Sequence, residues 1–192
     1  MPPIAKDKRY TVRDYRSWDD DGRYELIDGE VYAMASPSLE HQIIVGNVFR
    51  QLDTFLIGKP CRTVVAPFDV YISGDAEEDD TVFQPDVLVV CDRTKITSRG
   101  VVGAPDIVVE VLSPTTAEKD TILKLHRYQR EGVKEYWVVS VDSRTIYRHV
   151  LTGRGYDVTV FTNGAMPSER LRGFNLDVDA VFNELNGLYP EV

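Results

Sequence analysis

The chain has 192 residues, 31 of them acidic and 22 basic, for a formal net charge of −9. That length is enough for a proper core and reads as one folded domain over residues 24–192, preceded by an arm and short helix over 1–23. The acid excess opposes a polyanion over most of the surface. No apolar run approaches the roughly 18 residues of a membrane span, and the N-terminus lacks a signal-peptide core, so a cytoplasmic protein is expected.

Thr11 can cap a short helix through Trp18, which Asp19-Asp20-Asp21-Gly22 ends. Tyr24-Glu25-Leu26-Ile27 and Glu30-Val31-Tyr32-Ala33-Met34 flank Asp28-Gly29, a strong hairpin signal. From Ser38, apolar residues at Ile43, Ile44, Val48, Leu52, Phe55 and Leu56 recur at helical spacing until Gly58-Lys59-Pro60. Val64 to Ile72 reads as a strand interrupted by Pro67, and Asp75 to Asp80 as a solvated acidic loop. Cys61 and Cys91 lie in apolar, strand-like settings without metal-ligand or redox spacing, so free buried thiols in a reducing compartment are expected.

Gln84-Pro85-Asp86-Val87-Leu88-Val89-Val90 and Pro105-Asp106-Ile107-Val108-Val109-Glu110-Val111 are runs of β-branched and aliphatic residues, each reading as a buried strand. Asp86 opens the first, and Glu110 lies near the end of the second. If the two pair antiparallel, these carboxylates meet. Buried like charges cost several kcal/mol unless neutralised, and a hard divalent cation is a usual answer. The competing reading is that both acids sit at exposed strand ends and hydrate. Asp106, four residues from Glu110, is about 13 Å away along the strand and belongs to the strand start instead.

Capping chemistry at Ser113-Pro114-Thr115-Thr116 leads into a second long helix, from Glu118 or Lys119 to Glu131, closed by Gly132. Asp120, Lys124 and Tyr128 share one face of it. Lys124 either points back over the strand ends or forms a surface pair with a neighbour one turn away, while His126 faces elsewhere. Strands follow at Glu135–Val141, Thr145–Leu151 and Tyr156–Phe161, then a short helix near Val181 to Leu185. The pattern is a mixed α/β domain with helices bracketing a largely antiparallel sheet. Tyr136 and Trp137 read as sheet packing. Basic residues gather at Arg93 to Arg99 and Lys119 to Lys134, the sites of a potential basic rim. There is no phosphate-cradling glycine loop and no nucleophile elbow, and His41, His126 and His149 make no zinc motif.

From Tyr24-Glu25-Leu26-Ile27-Asp28-Gly29-Glu30 through Gln84-Pro85-Asp86, Glu110-Val111-Leu112-Ser113-Pro114, the Lys124 helix and Glu135-Tyr136-Trp137, the chain resembles the Uma-type restriction endonucleases of the PD-(D/E)xK nuclease superfamily. The resemblance runs from about Tyr24 to Phe161. It implies a restriction-endonuclease-like α/β (α+β) fold, a mixed sheet flanked by helices with an N-terminal hairpin. It also implies a DNA endonuclease whose Asp86, Glu110 and the Val111 carbonyl bind magnesium or manganese. The superfamily lysine normally stands two residues after the glutamate. That position is Leu112, so the resemblance moves the role to Lys124, making Asp86, Glu110 and Lys124 the catalytic set. Glu25, His41 and Tyr128 match supporting positions, and a homodimer is expected because two strands need two cuts. A non-catalytic binding protein of the same fold and a small phosphoester hydrolase are the alternatives.

Overall fold

The computed structural model describes residues 8–112 and 119–189. The expected caps at Ser113 to Thr116 and the start of the second helix at Glu118 lie outside them. Helix α1 spans Val12–Ser17; Thr11 caps it, its backbone N–H donating to the Asp14 carboxylate. Strands β1 (Tyr24–Ile27) and β2 (Glu30–Ala33) form the N-terminal hairpin. Asp28 and Gly29 take φ of 50° and 79°, the positive values that a two-residue turn of this hand requires. Helix α2 is Leu39–Leu56, capped by the Ser38 hydroxyl.

The expected Val64–Ile72 strand is two strands, β3 (Arg62–Val65) and β4 (Val70–Tyr71), separated at a cis Ala66–Pro67 bond. Proline removes a ladder donor, and the two strands join different sheets. Strands β5 (Val87–Val90), β6 (Val101–Val102) and β7 (Ile107–Leu112) follow. The second helix begins as a π-helical stretch, Lys119–Lys124, and continues as α3 (Leu125–Glu131), which Gly132 closes at φ 86°. Then come β8 (Glu135–Ser140), β9 (Thr145–Thr152), β10 (Gly155–Phe161), β11 (Ala165–Pro167), β12 (Asn175–Asp177) and α4 (Val178–Phe182).

The central sheet has the order β10-β9-β8-β7-β5-β3 and is antiparallel except for the parallel pair β7–β8, whose crossover carries the π-helical stretch and α3. Strand alternation divides two cores. Val87, Val89, Ile107, Val109, Val111 and Trp137 face α2 and α4. Leu88, Val90, Val108, Tyr136 and Val138 face the other layer, with Ile27, β4, β6 and Tyr128 of α3. Tyr136 and Trp137, both fully buried, pack the sheet as expected, one on each face.

The free-thiol expectation is corrected. Arg62 pairs with Val90, so one step further the antiparallel register sets Cys61 opposite Cys91, and the two are joined in a disulfide. Counting motif spacings along the chain does not reveal a pairing made by strand register.

Candidate active site

Val87 pairs with Val109 across β5 and β7, so the next step of the antiparallel ladder sets Asp86 opposite Glu110. The Asp86 Oδ2 accepts the Val111 backbone N–H at 2.8 Å, and the same oxygen lies 3.2 Å from His41 Nε2, in the first turn of α2. Among the described residues both contacts fall on Oδ2. In a strand, the N–H and C=O of one residue face the same neighbour. The Val111 carbonyl therefore faces the side on which the Asp86 carboxylate lies.

Glu110, on the opposite sheet face from Val111, is buried and meets two groups of the second helix. Lys124 Nζ donates to its Oε1 at 2.7 Å and the Tyr128 hydroxyl donates to the same oxygen at 3.1 Å. Lys124 also lies 2.8 Å from Glu25 Oε1, and Glu25 accepts the Gln84 backbone N–H at 2.9 Å. Lys124 is 2% exposed and Glu25 0%, so the surface-pair reading of Lys124 is excluded. Two buried carboxylates share one ammonium, and breaking either contact would leave a buried charged group without that partner. Burial, then the adjacent Glu110 charge, holds the Tyr128 hydroxyl well above the ordinary phenol range, so it stays a neutral donor.

Local structure explains why these groups converge. Lys124 closes the π-helical stretch and Tyr128 stands one α-turn later, which aims both at the end of β7. The ring of Tyr128 is fixed between Phe83 and Tyr136, each at 4.9 Å. Buried Arg127 ties α3 to the hairpin turn through Asp28 at 2.8 Å and to the acidic loop through Asp80 at 3.0 Å, and it also meets Thr81. Arg127 thus ties the helix that follows Lys124 to the hairpin that carries its Glu25 partner.

The other candidates fall elsewhere. Asp106 accepts the Cys91 N–H at 2.6 Å and pairs with Arg170 at 2.7 Å, at the far end of the strands from Asp86, in keeping with a strand-start acid. His126 is exposed, and His149 lies between Tyr136 and Tyr156 with its Nδ1 3.1 Å from the Tyr136 carbonyl. The side chain of Asp120 lies outside the described residues. Arg93 to Arg99 follow the C-terminal end of β5, so that basic cluster does not rim the carboxylates. Sequence reasoning missed Gln84 and Arg127. Gln84 acts through its backbone N–H, which no side-chain motif signals. Arg127 had one visible trace, its place one helical turn from Lys124 in an otherwise apolar-facing stretch.

Among the described residues no three or more His, Cys, Asp or Glu side chains stand together as a metal cage. A cation at this place would draw on Asp86, Glu110 and the Val111 carbonyl, all oxygen donors. That sparse set fits magnesium or manganese, which keep several waters and take one or two protein carboxylates plus substrate phosphate.

Residues 12–179 match the model of a family, Uma2, described as "putative restriction endonuclease". Two uncharacterized proteins of Synechocystis are similar: slr1290 is 30% identical over 73% of this chain and 74% of its own length, and sll1609 is 27% identical over 72% and 79%. The fold is similar to that of a protein from Anabaena variabilis described as a "putative nuclease belonging to DUF820". The TM-score is 0.74 at 17% identity, covering 91% of this chain and 98% of that one.

Proposed function

The chain belongs to the Uma2 family of restriction-endonuclease-like proteins, and on that premise we propose that it is a divalent-metal-dependent endonuclease hydrolysing DNA phosphodiester bonds. The observation that carries the reading is the cross-strand placement of Asp86 opposite Glu110, with the buried Lys124 ammonium 2.7 Å from Glu110. Glu110 is buried with Lys124 and Tyr128 on one carboxylate oxygen, and an ionisable cluster of this kind beside a second carboxylate is a candidate functional site.

In this reading Asp86, Glu110 and the Val111 carbonyl would hold magnesium or manganese, which would supply a water of lowered pKa and stabilisation of charge on the phosphate. His41 and the Val111 N–H fix the Asp86 carboxylate, and Tyr128 fixes that of Glu110. The Lys124 ammonium orients the attacking water and donates a hydrogen bond to a phosphate oxygen as negative charge develops there. DNA held through its phosphates by the cation and Lys124 would bind more weakly as salt rises. A homodimer would present two such sites to the two strands.

The test is nicking of supercoiled plasmid with magnesium or manganese. Cleavage is expected with wild type, abolished by a chelator and in Asp86→Ala, and reduced about 10²–10⁴-fold in Lys124→Gln. Absence of cleavage by folded wild type with metal present would overturn the catalytic reading in favour of a nuclease fold kept for binding.

A further inference from the structure

Strand β10 is an edge of the six-stranded sheet, and among the described residues no strand pairs with its outer side. Its register with β9 is unbroken, from Gly155 opposite Thr152 to Phe161 opposite Ile146, so alternate residues turn their backbone N–H and C=O outward. Tyr156 marks which ones. Its N–H donates to the Gln129 side chain of α3 at 3.0 Å, so Val158 and Val160 face outward as well. The side chains of these two valines are also uncovered, at 52% and 54% exposure. Edge strands are ordinarily protected by lysine, proline or a bulge, and β10 has none of these. The opposite edge, β3, is protected: it carries Arg62 and runs into the Ala66–Pro67 bond.

We propose that this edge is a dimer interface, in which β10 pairs antiparallel with β10 of a second copy of the chain about a two-fold axis at Thr159. The place of the axis follows from Gln129. A register centred on Val158 would set a strand residue, Val160 of the second copy, against the Tyr156 N–H that Gln129 already occupies. Centring on Thr159 brings Thr162, beyond the end of the strand, to that place instead. Val158 then exchanges N–H and C=O with Val160 of the second copy, and symmetry repeats the exchange. The valine side chains meet as cross-strand pairs on one face of the joined sheet. On the other face the charges match. Exposed Asp157 comes opposite Phe161 of the second copy, the ring over which the buried Arg148 guanidinium lies, 5.3 Å from its centre. Arg148 donates to the Pro167 carbonyl, and among the described residues neither it nor Asp157 pairs with a group of opposite charge. Each copy thus offers an acid to the other's cation. An unrelated extended segment would match the backbone edge but not this pair. The interface is independent of the metal-site reading and is tested without activity.

Sedimentation velocity of wild type and Val158→Pro tests this. The Val158 N–H takes no part in the ladder with β9, so proline there removes a donor from the interface alone. Wild type is expected to show a monomer–dimer equilibrium, and Val158→Pro to weaken it at least about tenfold with an unchanged circular dichroism spectrum. Thr159→Cys tests the register, and it decides the matter even if Val158→Pro does not fold. Its two thiols meet across the axis in a non-hydrogen-bonded pair, where a Cα separation of about 4.5 Å admits a disulfide. With oxidised glutathione as the oxidant, Thr159→Cys is expected to run as a covalent dimer on non-reducing gels, whereas wild type and Asp157→Cys are not. Wild type that stays monomeric up to about 1 mM would overturn the inference. So would a dimer that folded Val158→Pro leaves intact, one that Thr159→Cys fails to link, or association that continues beyond the dimer.

Discussion

Tyr128→Phe removes one hydroxyl from the centre of the site and nothing else. The ring keeps its packing between Phe83 and Tyr136, so its hydrophobic contribution is unchanged. What is lost is a 3.1 Å hydrogen bond to the buried carboxylate of Glu110, a charged acceptor. Such bonds contribute about 1.5–3 kcal/mol, and the partner left behind stays buried. For a domain of this size that is a fall in Tm of about 3–12 °C. The pH dependence has a definite sign. Burial raises the folded pKa of Tyr128 well above the unfolded value of 10.0, so its contribution is fully present below 10.0 and is lost as pH rises from there toward the folded value. Urea unfolding of wild type and Tyr128→Phe at pH from about 7 to 11 reads both effects: a constant difference up to about pH 9 that narrows above pH 10. A loss below about 0.5 kcal/mol at neutral pH, or a difference that widens in alkali, would refute the reasoning.

Three further outcomes are expected. Burial lowers the folded pKa of His149 below its ordinary 6.5, so the unfolded chain binds the extra proton first; wild-type stability falls as pH drops through 6.5 toward the folded value, and His149→Phe should flatten that slope in urea titrations. Cys61→Ser opens the disulfide to Cys91, which closes a segment of sequence separation 30, and should cost about 2–4 kcal/mol in denaturant unfolding under non-reducing conditions, with no cost when wild type is already reduced. Arg127→Met leaves Asp80 and Thr81 without their shared donor and loosens α3 from the hairpin; it should lower stability by about 2–4 kcal/mol and raise hydrogen exchange at Leu125 to Glu131 ahead of the central sheet.

The carboxylate pair was legible because the two apolar runs read as strands, and antiparallel pairing brings the start of one to the end of the other; the register that sets Asp86 opposite Glu110 came from the structure. The Asp-Gly hairpin and the capped α2 were legible for the same reason: local chemistry decides them. Lys124 and Tyr128 were readable as one helical face, although the π-helical stretch before Lys124 was not, since its hydrogen-bond pattern has no residue signature. The parallel pairing of β7 with β8 follows from a crossover through α3, a choice of topology that spacing leaves open. The Cys61–Cys91 bond and the hold of Gln84 on Glu25 escaped because each joins residues distant in sequence, one by strand register and the other through backbone. The role proposed for Lys124 comes from the family resemblance, since the superfamily position is occupied by Leu112.

The most direct test of the account is calorimetric titration of magnesium and manganese into wild type and Asp86→Ala. The account predicts micromolar-to-millimolar binding by wild type that disappears in the variant while the variant remains folded. Equal binding by both, or none by folded wild type, would contradict a metal site built on Asp86 and Glu110.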